Sequence, residues 1–200
     1  MKIDIYNLGG IDMKNNRFGG LIVGLLLMLL MVPVSKVAAE TESNQQIMVD
    51  TNGRETYTKI GFELMKETIG SLAVGMSADD VLSQLGIPEE KSDAQVWGAD
   101  RMEHQRWYYP TKGVELGMIT REGRQDVEKI VIKDSCDYKT QRGIKIGNSA
   151  MDIHTAYKNV INPRDSEPGK RIVCGTVYGG IIFNLQNDIV SRIFIGAAVE

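Results

Sequence analysis

A phrase occurs twice in this chain. Residues 72–81 read Leu-Ala-Val-Gly-Met-Ser-Ala-Asp-Asp-Val, and residues 143–153 read Gly-Ile-Lys-Ile-Gly-Asn-Ser-Ala-Met-Asp-Ile. Each copy is an apolar stretch followed by Gly-x-Ser-Ala-x-Asp-[Val/Ile]. An internal repeat constrains the fold strongly, because one unit must be built twice and each must bury its apolar face.

Within the first copy, Ile69 to Val74 is a short strand-like run that ends at Gly75. Ser77 then fits a helix N-cap, with Asp80 three residues on in the place of a capping-box Glu or Gln. Ala78, Val81, Leu82 and Leu85 follow as one apolar stripe, and Gly86 and Pro88 end the helix. A polar connection, Glu89 to Gln105, leads to three strand-like segments: Arg106 to Tyr109, Val114 to Ile119 and Val127 to Lys133. Turn residues, Thr111 to Gly113 and Arg121 to Arg124, separate them.

The second copy repeats this order. Ile144 to Ile146 is the strand-like run, Ser149 the N-cap, and Ala150, Ile153, His154 and Tyr157 the stripe, with Asn162 and Pro163 as the stop. Strand runs follow at Ile172 to Tyr178, Ile181 to Leu185 and Ile189 to Ala197, with Gly179-Gly180 and Gln186 to Asp188 as turns. The spacing therefore predicts an α+β fold of two tandem half-domains, 69–135 and 136–200, each a short helix plus a three- to four-stranded antiparallel sheet. At this size each half is marginal alone, so the two are expected to share an interface.

The stretch Gly75 to Pro88, Gly-Met-Ser-x-x-Asp-Val-x-x-x-Leu-Gly-x-Pro followed by a β-meander, resembles the small exported modules of the OmlA/SmpA group. That group includes the outer-membrane assembly lipoprotein of the β-barrel insertion machine. The tandem arrangement is similar to the β-lactamase inhibitory protein. The resemblance implies protein–protein binding in the cell envelope or outside the cell, without catalysis.

The N-terminus points to the same compartment. Phe18 to Val34 is uncharged, Lys14 and Arg17 precede it, and Val37-Ala-Ala39 follows it. Residues 1–39 thus read as a secretory signal cleaved after Ala39, with Met13 as an alternative start. An uncleaved anchor in the inner membrane is the competing reading, and the only one that gives the chain a membrane partner. No Cys follows the apolar run, so no lipid anchor is expected. Residues 40–68 read as a flexible leader, although Ile60, Leu64 and Met65 have helical spacing. The only two cysteines, Cys136 and Cys174, lie in the exported part, where an even count favours a disulfide over two buried thiols.

Candidate chemistry is sparse. His104 and His154 are the only histidines and lack metal-ligand spacing, so neither a metal nor a cofactor is expected. His104, in a charged segment, reads as solvated, and His154, at the stripe position of Leu82, as partly buried. Ser77 and Ser149 lack the second glycine of a nucleophile elbow and read as caps. A net charge of −3 with scattered basic residues argues against nucleic acid. The aromatic cluster is the best binding candidate. Alternation puts Trp107 and Tyr109 on one sheet face and Tyr108 on the other, with Trp97, Arg101 and Arg106 close by. Trp97, Trp107, Tyr109 and Arg106 are the expected anchors for a protein partner. The alternative is that the rings fill the core. The expectation is an exported, non-enzymatic protein-binding module. A membrane-anchored envelope assembly or structural protein is the alternative, and an uncharacterised hydrolase the third reading.

Overall fold

The computed structural model describes residues 53–133 and 136–198. The expected signal over 1–39, Met13 and the first part of the leader lie outside the described residues. The described chain is an α+β protein with three helices and an antiparallel sheet of eight strands. Helix α1 spans residues 53–64, α2 Ala78–Leu85 and α3 Ala150–Tyr157. The strands are β1 Glu90–Lys91, β2 Gln95–Val96, β3 Glu103–Tyr109, β4 Val114–Arg121, β5 Arg124–Lys133, β6 Arg171–Thr176, β7 Gly179–Gln186 and β8 Ile189–Gly196. Their order across the sheet is β1-β3-β4-β5-β8-β7-β6, with β2 also paired to β3.

The repeated phrase makes the same local structure twice. Ser77, in extended backbone, accepts the Asp80 N–H at 3.2 Å and starts α2. Ser149 accepts the Asp152 N–H at 3.2 Å, and Asp152 accepts the Ser149 N–H at 2.8 Å, closing a full capping box on α3. The Gly75 N–H donates to the Val127 carbonyl at 2.7 Å, and the Gly147 N–H to the Val190 carbonyl at 2.9 Å. Two-residue turns with left-handed backbone, Glu122-Gly123 and Asn187-Asp188, close the β4–β5 and β7–β8 hairpins.

The final strands of the two meanders meet edge to edge. Val131 of β5 lies opposite Phe194 of β8, flanked by the pairs Ile130–Ile195 and Ile132–Ile193. Both meanders are bulged, between Gly117 and Met118 in one and between Asn184 and Leu185 in the other. One row of partners therefore crosses the whole sheet: Trp107, Leu116, Ile130, Ile195, Ile181 and Cys174. Val81 and Leu85 of α2 and Ile153 and Tyr157 of α3 pack on this row's face, so one core serves both helices.

Four expectations are corrected. Residues 53–64 of the expected flexible leader are helical, because Leu64 is buried in the core and Gly61 abuts Gly175 and Gly179. The runs before α2 and α3 are not strands. In the first of them Ile69 forms isolated bridges to Leu72 and Thr140. Gly179 and Gly180 belong to β7, and the turn is Val177-Tyr178. Gly180 is glycine because a Cβ there would stand 2.1 Å from the Cys174 carbonyl oxygen. The cysteines are not joined: Cys136 and Cys174 are free and buried. Cys136 follows β5 and bonds back to Lys133, whereas Cys174 sits in β6, three strands further across the sheet. Roughly 14 Å separates those strands, beyond the reach of a disulfide of about 7 Å between Cα atoms.

Burial pushes both thiols above their ordinary range, Cys174 furthest. Both should therefore resist thiol reagents in the native protein and titrate as two thiols in denaturant without reductant. A count of zero thiols under those conditions would contradict the free-thiol arrangement.

Candidate functional site

Alternation along β3 splits its side chains between the core and the opposite sheet face. Trp107 and Tyr109 point into the core, 2% and 0% exposed. Trp107 donates from Nε1 to Gln105 at 2.8 Å and lies under the Lys91 ammonium. Tyr109 donates to the Gly86 carbonyl at 3.1 Å, and burial pushes its hydroxyl up to about 12. Neither side chain is available to a partner, which corrects the expectation for these two anchors. The reason is the register: Trp107 faces Leu116, and Tyr109 faces Val114, on the face that α2 and α3 cover.

The opposite face carries His104, Arg106 and Tyr108 from the same strand. Trp97, in the loop after β2, stacks on His104 with ring centroids 3.6 Å apart and planes 7° off parallel. His104 is buried rather than solvated. Its Nε2 lies 2.9 Å from Asp100, and its Nδ1 lies 3.1 Å from the Glu128 carboxylate. The Met102 N–H and then the His104 contacts hold the Asp100 carboxyl below the ordinary range. His154, by contrast, is exposed on α3 rather than partly buried.

Glu128 reaches His104 because of the bulge. Gly117 pairs with Lys129 and Met118 with Val127, leaving Glu128 as the extra residue. Gly117 has no side chain where the Lys129 stem lies: a Cβ there would be 2.4 Å from that stem. The Lys129 ammonium then comes 5.1 Å from the Trp97 ring centre. Trp97, His104, Glu128 and Lys129 together wall a cleft of about 410 Å³ that Arg106 and Tyr108 also line.

A second groove, of about 490 Å³, continues along the same face from Arg106 and Lys129 to Glu115, Val131, Arg192 and Phe194. Val131 and Phe194, which line it, begin a buried apolar row that continues strand to strand through Ile182 and Val173. Of the four expected anchors, the structure thus brings Trp97 and Arg106 to one surface and sends Trp107 and Tyr109 to the core. Sequence reasoning missed His104, Lys129, Arg192 and Phe194. The alternation that excludes Trp107 would have found His104 on the face of Tyr108, but β5 and β8 come to this face only through long-range pairing.

Among the described residues, no group of three or more His, Cys, Asp or Glu side chains is arranged to hold a metal ion. The open face can hold a peptide or a protein surface. It offers aromatic stacking, guanidinium donors and carboxylates along about four strands. Comparison of the chain with protein-family models, with curated proteins and with solved structures finds no match.

Proposed function

We propose that this chain is an exported, non-enzymatic protein-binding module that takes its partner on the open face of the sheet. The observation that carries this reading is the pair of adjoining grooves that run from the Trp97–His104 stack past Arg106 to Arg192 and Phe194. Tryptophan, tyrosine and arginine dominate protein-binding hot spots, and Trp97, Tyr108 and Arg106 supply all three here. Export rests on the apolar run Phe18 to Val34 and the small residues that follow it. Among the described residues no helix is long and apolar enough to cross a membrane.

The fold supports a finer reading, that of a duplicated half-domain of the OmlA/SmpA-like kind. The two phrases make matching caps and matching backbone bonds, the bulges fall at corresponding places, and the last strands pair about Val131 and Phe194. The edge-to-edge joint leaves one continuous face, longer than either meander alone would offer.

A photoreactive amino acid at Ala197, on the groove rim, tests the reading when the full chain is made in its native cells. It should yield a discrete cross-linked protein, while the same probe at exposed His154 on α3 should not. Trp97→Ala should reduce that adduct about tenfold while the melting temperature stays within a few degrees. Adducts that are equal at both positions, or absent at Ala197, would refute a binding face here.

A further inference from the structure

We infer that the groove accepts an extended acidic segment of its partner protein, with carboxylates seated on Arg192 and Arg106. The inference rests on the protein-binding reading above and names the chemistry of the partner. Its first support is a local conflict of charge. Lys133 and Arg192 stand directly opposite each other on β5 and β8. Like charges at opposed positions destabilise a sheet. Lys133 has Glu115 at 3.7 Å. The Arg192 guanidinium has no ion pair among the described residues and lies 5.9 Å from the Phe194 ring centre. A carboxylate from outside would relieve the conflict.

The second support is Arg106, at the other end of the groove. It is exposed, its side chain has no ion pair among the described residues, and its row neighbour Gly117 has no side chain to shield it. Arg106, Lys129 and Arg192 line the groove against Glu115 alone, although the chain as a whole carries a net charge of −3. Arg106 and Lys129 are two strands apart, about 10 Å, and Lys129 pairs beside the end of β8, four residues or about 13 Å along from Arg192. Three carboxylates, spaced three and then four residues apart in an extended peptide, would meet Arg106, Lys129 and Arg192 in turn. Val131 and Phe194 between the cations are almost wholly covered, 3% and 6% exposed, so the charged side chains above them carry the contact. The Glu115 carboxylate among the cations favours a protein segment over an anionic membrane or a nucleic acid, which would ask for cations alone.

Fluorescein-labelled ten-residue peptides measured by anisotropy against the full chain test this. One carries glutamates three and four residues apart with leucines between, a second has glutamine at the same places, and a third lysine. The acidic peptide should bind at least about tenfold more tightly than the others and weaken as salt rises. Arg106→Glu and Arg192→Glu should each cost about tenfold, and Lys158→Glu, just past the end of α3, should cost nothing. Arg192→Glu should also leave the melting temperature unchanged or raised, since it puts an acid opposite Lys133. Peptide binding that ignores charge, while the Ala197 probe still captures a protein, would overturn the acidic partner and leave the binding face standing. Loss of both would overturn both. Equally tight, equally Arg106-dependent binding to phosphatidylglycerol vesicles would overturn the inference in favour of a lipid surface.

Discussion

Trp107→Ala is expected to lower the unfolding free energy by about 3–5 kcal/mol, read as a lower urea midpoint at unchanged slope. The indole is 2% exposed and begins the row that crosses the sheet through Leu116, Ile130, Ile195, Ile181 and Cys174. Truncation would open a cavity under α2 that the surrounding strands cannot collapse to fill. It would also remove the Nε1 donor at 2.8 Å from the Gln105 side-chain oxygen, which keeps the Gln125 amide at 3.4 Å. The contrast with Trp97 is the decisive comparison. Trp97 is half-buried, and its main partner is the His104 ring. Removing it should cost about 1 kcal/mol and act on binding rather than folding. If the two variants lost similar stability, or Trp107→Ala lost a partner without losing stability, the assignment of Trp107 to the core would fail.

That contrast also marks how far the sequence could be read. Whatever depends on near neighbours was legible. Ser77 and Ser149 announce helix starts because the bond each makes is three residues away, and Glu122-Gly123 and Asn187-Asp188 announce turns for the same reason. Alternation told that Trp107 and Tyr108 face opposite ways, but which way is inward depends on where α2 packs. Gly179-Gly180 misled because a tight turn and a close strand approach both demand glycine, and here the demand comes from the Cys174 carbonyl. The even cysteine count misled because compartment chemistry says nothing of geometry, and two strands intervene between β5 and the strand that holds Cys174. The candidate site was the least legible part. Its cations come from β3, β5 and β8, which meet through the β5–β8 pairing, a contact between residues about sixty apart that no local signal encodes.

Glu67→Ala is expected to lower stability by about 2–3 kcal/mol, the second largest loss. Glu67 follows α1 and is almost buried, yet it carries a carboxylate. Arg142 donates to it at 2.7 Å and the Tyr157 hydroxyl at 3.0 Å, from residues 75 and 90 positions away. Arg142 also lies over the Tyr157 ring, 4.7 Å from its centre. The carboxylate therefore ties the end of α1 to α3 and to the loop before the second phrase. Its loss removes the charged acceptor of the Tyr157 hydroxyl and leaves only the Thr140 side chain beside it, which costs about 1–3 kcal/mol. The Arg142 side chain is 37% exposed, so its freed charge can turn to water and adds little. Glu67→Gln keeps an acceptor for Tyr157 and should cost about half as much. Tyr157→Phe combined with Glu67→Gln should show a coupling of about 1 kcal/mol. Because α1 is held at its end by this carboxylate, amide exchange across residues 53–64 should accelerate in Glu67→Ala more than exchange in β4 or β5. A loss below about 0.5 kcal/mol, or exchange that rises evenly through the sheet, would show that Leu64 and the Gly61 contact hold α1 without the carboxylate.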